Sequence, residues 1–306
     1  MNELATVGAT LWPTRATRLV RFVLATHPPG SYLLLTTLWC GSLIALFGGG
    51  EPVHFEIRDV LAIASFFAVL LYLRAVDEIK DLPYDAIHKR DRPLVSGAIS
   101  MQEVAGLAAF VAAAIVVGNA WLAPTLAVFL AVDMAYGLLL LKLERYSQRF
   151  RDSVLLNLIV TFPVSAALNV YIYLYLGPRA TRLWPVVLAH VLAFLHFEFG
   201  RKLKWPKFAA ATENGYANAL GTIPALAICL LLGTGACGTA MALHIAAGAP
   251  AWLAGMVWLA AVPSLFGVRV FFGLPKHREL KTYFALFLLL FFIGNCVVAL
   301  VHRGLA

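Results

Sequence analysis

Long, continuous apolar runs follow one another along almost the whole chain, and they limit the folds that this sequence can adopt. A helix of about 20 apolar residues spans the hydrocarbon core of a bilayer, whereas the strands of a membrane barrel alternate apolar and polar residues. In lipid, each backbone N–H and C=O group must find its hydrogen bond within the protein. The runs therefore predict an all-α fold, a polytopic membrane helix bundle with about nine transmembrane helices.

Composition agrees with a membrane as the solvent of this chain. The 306 residues are 61% hydrophobic and 13% charged, and the mean hydropathy is +0.82, which argues against a soluble globular protein of this length. With no internal repeat or long linker evident, residues 1–306 are predicted to form a single domain. The predicted spans lie near 31–49, 57–76, 103–120, 122–142, 153–175, 183–200, 217–235, 238–268 and 281–301.

The eighth predicted span is too long for one straight helix across a bilayer. It contains Gly248, Pro250 and Pro263, so we expect it to be kinked, tilted or partly interfacial.

The distribution of Lys and Arg predicts the orientation of the bundle. If the N-terminus is cytoplasmic, 20 of the 24 basic residues fall on the cytoplasmic side and 4 on the other side, as expected from the retention of basic loops inside the cell. The loops at 80–98, 142–152, 201–214 and 269–280 are then cytoplasmic. This bias, together with attraction to anionic membrane lipid, explains the net charge of +8 without a nucleic-acid partner.

An acidic cluster ends the second predicted span. Asp77, Asp81 and Asp85 are spaced by four residues, and each step of four advances only about 40° around a helix, so the three carboxylates are predicted to share one face. Like charges so placed repel one another. Because Mg²⁺ prefers carboxylate oxygens completed by water and substrate phosphate, the cluster predicts a magnesium site.

A solvated helix end is the alternative interpretation, with the acids paired to Lys80, Arg74 and the basic loop that follows. Pro83 complicates the geometry, since it removes one helical N–H and is expected to kink the helix or end it before Asp85.

A second motif follows this cluster: residues 92–97 read R-P-L-V-S-G. Together the two motifs resemble the UbiA superfamily of intramembrane aromatic prenyltransferases, whose first motif is N/D-x-x-x-D-x-x-x-D followed by an R-P-L-x-S-G loop. The resemblance implies magnesium-dependent ionisation of an allylic prenyl diphosphate and transfer of the prenyl group to an aromatic or other lipophilic acceptor.

The family places a second acidic motif, D-x-x-x-D, after the sixth span. Here Glu198 stands for the first acid, but Lys202 occupies the position of the second. We expect Lys202 or Arg201 to contact the diphosphate directly in place of a metal ligand. Two other interpretations stay open: an ordinary i,i+4 helix pair between Glu198 and Lys202, and a replacement acid at Glu213.

The fourth span resembles the family in its tyrosine and basic residue, here Tyr136 and Lys142. Arg145 and Arg149 are further candidates to reach the diphosphate. Asp133 lies about 13 Å before Lys142 along a straight helix, so it is predicted to sit deeper in the bundle.

The predicted site can be sorted by role. Asp133 and the polar Asn157, at the start of the fifth span, are candidate acceptor contacts or packing residues. The residues expected to act in catalysis are Asp77, Asp81, Asp85, Glu198 and Lys202. Those expected to bind Mg²⁺ are Asp77, Asp81, Asp85 and Glu198. Those expected to bind the diphosphate are Arg92, Tyr136, Lys142, Arg201 and Lys202.

Two other functions are compatible with the same sequence. A terpene cyclase of the same superfamily would capture the cation with the substrate's own double bond and use no acceptor. A lipid-binding or transport protein would keep the fold without catalysis, and the altered second motif leaves room for this alternative.

Overall fold

The computed structural model describes residues 14–51, 56–148, 150, 153–205, 215–273 and 280–304. These residues form helices and contain no strand. Within them, nine helices are long and apolar enough to cross a membrane, which confirms the predicted number. The spanning helices are α2 (Pro29–Phe47), α3 (Ile57–His88), α4 (Met101–Leu122), α5 (Pro124–Tyr146), α6 (Val154–Leu176), α7 (Leu183–Arg201), α9 (Thr222–Ala246), α10 (Ala251–Gly273) and α11 (Lys281–Arg303).

Two described helices are not among these spans: α1 (Arg15–Thr26) and the short α8 (Tyr216–Leu220). Helix α1 is amphipathic, and the Arg18 guanidinium forms an ion pair with Glu103 of α4 at 2.5 Å. Glu103 also caps its own helix together with Ser100, which satisfies backbone N–H groups at the start of α4. A helix of this kind is suited to lie along the membrane surface.

Helix α3 is much longer than a bilayer requires. Its 32 residues extend about 48 Å, while the hydrocarbon core is about 30 Å thick. Pro83 lies inside the helix, which continues to His88, so the proline does not end it before Asp85. The extra turns carry the acidic cluster beyond the apolar part of the span.

The predicted boundary between the seventh and eighth spans is wrong. The sequence suggested a break near residues 235–238, but α9 runs through this region and the break lies at 247–250. The glycines here allow close packing: a methyl group on Gly233 would lie 2.7 Å from Nδ1 of His196, and one on Gly235 would lie 3.2 Å from Leu192. The chain turns instead at Gly248, whose φ of +94° favours glycine. Helix α10 then contains a 3₁₀ segment, Gly255–Ala260.

Buried polar side chains join helices in the half of the bundle that contains the C-terminal ends of α2, α9 and α11. The Ser42 hydroxyl lies 2.9 Å from Nε2 of His190 and accepts a hydrogen bond from the Asn295 amide at 3.2 Å. Asn295 also pairs with His244 at 3.0 Å. These contacts connect α2, α7, α9 and α11, and such interhelical bonds stabilise membrane bundles.

Helix α7 packs tightly on α11 near the opposite end of the bundle. Gly200 of α7 is buried against the ring of Phe284, and any side chain at this position would overlap that ring. The last turn of α7 is therefore held at a fixed distance from α11.

Candidate active site

A cavity of about 970 Å³ opens where α3, α5 and α7 end and α6 begins. Its charged lining comes from the ends of these helices, from the loop after α3 and from the start of α11. Among the described residues, seven basic and four acidic side chains line it, which favours an anionic ligand. They are Arg74, Lys80, Lys89, Arg92, Arg201, Lys202, Lys281, Asp77, Asp81, Glu144 and Glu198.

The rest of the cavity is largely apolar and reaches into the bundle. Along α6 the lining extends from Asn157 to Ser165, about 12 Å of helix. Apolar side chains of α3, α5, α6 and α7 form most of this part: Leu73, Leu140, Leu141, Leu158, Phe162, Val164, Phe194 and Phe197. An apolar chain with an anionic head group fits such a cavity.

Two of the three aspartates predicted to share a face lie on the cavity wall. The side chains of Asp77 and Asp81 are 48% and 44% exposed, and both line the cavity. The Lys80 ammonium lies 3.2 Å from Oδ1 of Asp77 and 3.8 Å from Oδ1 of Asp81. It also lies 3.2 Å from Oε2 of Glu144, at the end of α5.

Asp85 does not line the cavity with the other two aspartates. Its side chain is 3% exposed, and its oxygens lie 3.3 Å from the Lys89 ammonium and 3.8 Å from Nε of Arg92. Two steps of four residues rotate Asp85 about 80° away from Asp77, and the basic loop after α3 covers it. Because Lys89 and Arg92 both line the cavity, Asp85 is placed to position them.

Buried Glu78 ties the same loop to α3. Its carboxylate accepts hydrogen bonds from the guanidinium groups of Arg74, on its own helix, and Arg92, in the R-P-L-V-S-G segment. Hydrogen bonds between such charged groups are stronger than neutral ones. This pairing fixes Arg92 at the cavity wall. The sequence predicted Arg92 as a residue that binds the diphosphate.

The residues of the second predicted motif meet at the end of α7. Glu198 pairs with Lys202 at 2.6 Å and with Nε of Arg201 at 2.5 Å, and all three line the cavity. The Lys202 ammonium also lies 5.6 Å from the ring centroid of Tyr216, a favourable cation–π distance. Burial and then the Glu198 carboxylate raise the pKa of the Tyr216 hydroxyl above its ordinary value, so it stays neutral.

The predicted residues of α5 and α6 divide into two groups. Asn157 lines the cavity, and its amide donates to Oε1 of Glu144. Tyr136 instead donates to the backbone carbonyl of Val160 at 2.8 Å, and Lys142 is exposed and outside the cavity lining.

Asp133 also lies apart from the cavity lining. It is buried one helical turn beyond Gly137, which lines the cavity, and its Oδ2 has no hydrogen-bond partner within the described part of the chain. Glu213 and Arg149 lie outside the described residues, as does the side chain of Arg145.

Sequence analysis overlooked several residues of the cavity. Glu144 is the most important, since it joins Lys80 and Asn157 through its two oxygens. It follows Lys142, the last residue of the fourth predicted span, by two residues. Inspection of every acid near the predicted cytoplasmic ends of the spans would therefore have identified it. Lys281, at the start of α11, also lines the cavity and could have been found in the same way.

The carboxylates of the cavity fit a magnesium ion only if the substrate completes its coordination. In the described segments, no group of three or more His, Cys, Asp or Glu side chains could hold a metal ion by itself. Magnesium in phosphate-binding sites commonly uses one or two carboxylates with water and substrate oxygens. Asp77 and Asp81, which face the cavity, meet that requirement.

Structural comparison identifies the fold. A UbiA homologue from Aeropyrum pernix K1 matches with a TM-score of 0.64 and 22% identity, over 89% of this chain and 97% of that chain. A digeranylgeranylglyceryl phosphate synthase matches with a TM-score of 0.65 and 13% identity, over 92% of this chain and 99% of that chain. No protein-family model matches the sequence, and no curated protein is significantly similar to it.

The protein is therefore a polytopic helical membrane protein with the fold of UbiA intramembrane prenyltransferases. This fold agrees with the resemblance carried by its acidic and R-P-L-x-S-G motifs.

Proposed function

We propose that this protein is an intramembrane prenyltransferase that uses Mg²⁺ to ionise an allylic prenyl diphosphate and transfers the prenyl group to a lipophilic acceptor. One observation carries the proposal: a single cavity combines basic and acidic helix ends with a largely apolar interior between the helices. The head group and the chain of a prenyl diphosphate require these two environments. The UbiA fold of the chain supports the same function.

The charged end of the cavity accounts for ionisation. In this step the bond between C1 of the prenyl chain and a diphosphate oxygen breaks, and the electron pair leaves with the diphosphate. Arg92, Arg201 and Lys202 are placed to bind the leaving group as its negative charge grows, and preorganised cations stabilise that transition state. Magnesium, when held by Asp77 and Asp81, would neutralise further diphosphate charge.

The apolar interior accounts for control of the allylic cation. Phe162, Phe194 and Phe197 line the cavity, so they exclude water from the cation, and ring faces attract positive charge. The acceptor then forms a bond to C1, and the proton that it loses passes to the released diphosphate or to water. Asn157 lines the cavity and is the better candidate for an acceptor contact. Asp133 is buried outside the cavity lining, so it is the weaker candidate.

Orientation is part of the proposal. The cavity lies at the bundle end that carries the loops rich in Lys and Arg, and we infer that this end and the N-terminus face the cytoplasm. A charged diphosphate would then enter from the cytosol.

Incubation of the purified protein with Mg²⁺ and prenyl diphosphates of several chain lengths tests the proposal. Phenolic and alcohol acceptors should both be included, because one structural neighbour is named as a synthase of a glyceryl phosphate. Pyrophosphate release that depends on an acceptor supports transfer. Pyrophosphate with a cyclic hydrocarbon and no acceptor would show the cyclase alternative, and no release with any substrate would favour a lipid-binding or transport protein.

A further inference from the structure

A lysine ammonium occupies the space between three carboxylates at the cavity wall. The Lys80 ammonium lies 3.2 Å from Asp77, 3.8 Å from Asp81 and 3.2 Å from Glu144. Two helices supply these groups, since Asp77 and Asp81 belong to α3 and Glu144 belongs to α5. Asn157 of α6 holds the other Glu144 oxygen, which fixes the carboxylate toward Lys80.

These distances suit an ammonium and not a magnesium ion. Magnesium requires oxygens at about 2.0–2.1 Å in near-octahedral geometry, so the carboxylates would have to move inward around it. A strongly hydrated point charge on a flexible stem, by contrast, can leave the position by rotation of its side chain. The metal and the ammonium cannot occupy the same space.

We propose that Lys80 is an internal counter-ion that competes with magnesium for the carboxylates of Asp77 and Asp81. The inference rests on the magnesium role in the proposed function and adds Glu144 as the carboxylate that holds Lys80 beside the two aspartates. Without substrate, the protein then binds the metal weakly. When magnesium enters with a diphosphate, the anionic head group offers Lys80 a new partner, so metal and substrate bind cooperatively.

Metal binding to the purified, substrate-free protein tests this competition directly. Electron paramagnetic resonance of Mn²⁺, a probe with the same preference for oxygen ligands, gives the dissociation constant without any catalysis. Removal of a charge that lies this close to both aspartates should strengthen binding by about tenfold or more in Lys80→Met. Lys281→Met is the matched control, because Lys281 lines the same cavity without an ion pair to these acids in the described residues. Its effect should be below about threefold, as screening by solvent predicts.

A double variant tests whether Lys80 acts through the aspartates. Addition of Asp77→Asn to Lys80→Met should abolish most of the gain in Mn²⁺ affinity, and an unchanged gain would contradict competition at this site. Equal Mn²⁺ affinities of the wild type, Lys80→Met and Lys80→Gln, each shown to be folded by thermal unfolding, would overturn the inference. Because no substrate is present, this result would leave the proposed function intact, and failure of the prenyl-transfer assay would not alter the metal titration.

Discussion

Buried Glu78 accepts hydrogen bonds from Arg92, fourteen residues further along the chain, and this pair connects the loop after α3 to the helix. Glu78 also binds Arg74, so one carboxylate accepts from two guanidinium groups. Loop position and the location of a cavity cation therefore depend on buried acids that do not themselves line the cavity, Glu78 and, at 3.8 Å from Nε of Arg92, Asp85.

Glu78→Gln should destabilise the protein and weaken substrate binding. Loss of the carboxylate removes the Glu78 counter-charge from Arg74 and leaves Arg92 with the more distant Asp85, and hydrogen bonds to charged groups contribute about 1.5–3 kcal/mol. Thermal unfolding in detergent, together with KM for the diphosphate, measures both effects. Asp91→Asn is the control, because Asp91 is an exposed acid of the same loop. Equal unfolding temperatures for both variants would contradict this role of Glu78.

Asp81→Asn should abolish most activity while the fold persists. The substitution is nearly isosteric, but it removes one of the two aspartates that face the cavity. We expect a fall in kcat of about 10²–10³-fold, the usual cost of removing one charge-stabilising group from an active site. Pyrophosphate release at saturating magnesium is the measurement. Near-normal turnover would exclude the metal role proposed for this residue.

Lys202→Ala should reduce kcat/KM by more than tenfold, which corresponds to about 1.4 kcal/mol of transition-state stabilisation. Lys202 and its partner Glu198 both line the cavity, whereas an ordinary exposed helix pair contributes only about 0.3–0.5 kcal/mol of stability. Lys142→Ala is the matched control, since Lys142 lies outside the cavity lining. The reduction in kcat/KM for this variant should be several times smaller than that for Lys202→Ala. Equal losses for the two lysines would show that location in the cavity is unimportant.

Single cysteines test the proposed orientation. The four native cysteines are free and can be replaced before new ones are introduced at Gln148 and Pro178, exposed positions at opposite ends of α6. In intact cells, a membrane-impermeant thiol reagent should label the Pro178→Cys variant and not the Gln148→Cys variant. The reverse pattern would place the cavity opening outside the cytoplasm.

Acidification should destabilise the protein through His27. This residue is fully buried between α1 and α2 and stacks on Tyr32, and burial, followed by the charge of Arg74, lowers its pKa to about 4. The unfolded chain therefore takes up a proton near the ordinary pKa of about 6.5, before the folded protein does. His27 stabilises the fold above pH about 6.5, and that contribution decreases toward pH about 4. The unfolding temperature of His27→Phe should depend less steeply on pH across this window than that of the wild type.

The number of spans could be predicted from sequence because hydrophobic length is a local signal, and the local motifs at 77–81 and 92–97 contain Asp77, Asp81 and Arg92, which line the cavity. The contact of Lys80 with Glu144 is not local, since it depends on the approach of α3 and α5. The burial of Asp85 likewise depends on a loop that folds back over the helix. The close packing of α7 and α9 is also not local: Gly233 and Gly235 lie inside α9, across the boundary predicted near 235–238, and bring the two helices together.

The contact between Gly200 and Phe284 influences the width of the cavity, although neither residue lines it. Because this contact sets how closely α7 approaches α11, the gap between the end of α7 and the acids of α3 depends on the volume of one apolar ring. A smaller residue at 284 would allow α7 to move toward α11 and enlarge the entrance. A change at position 284 should thus alter the size of the cavity entrance while every charged residue of the cavity stays the same.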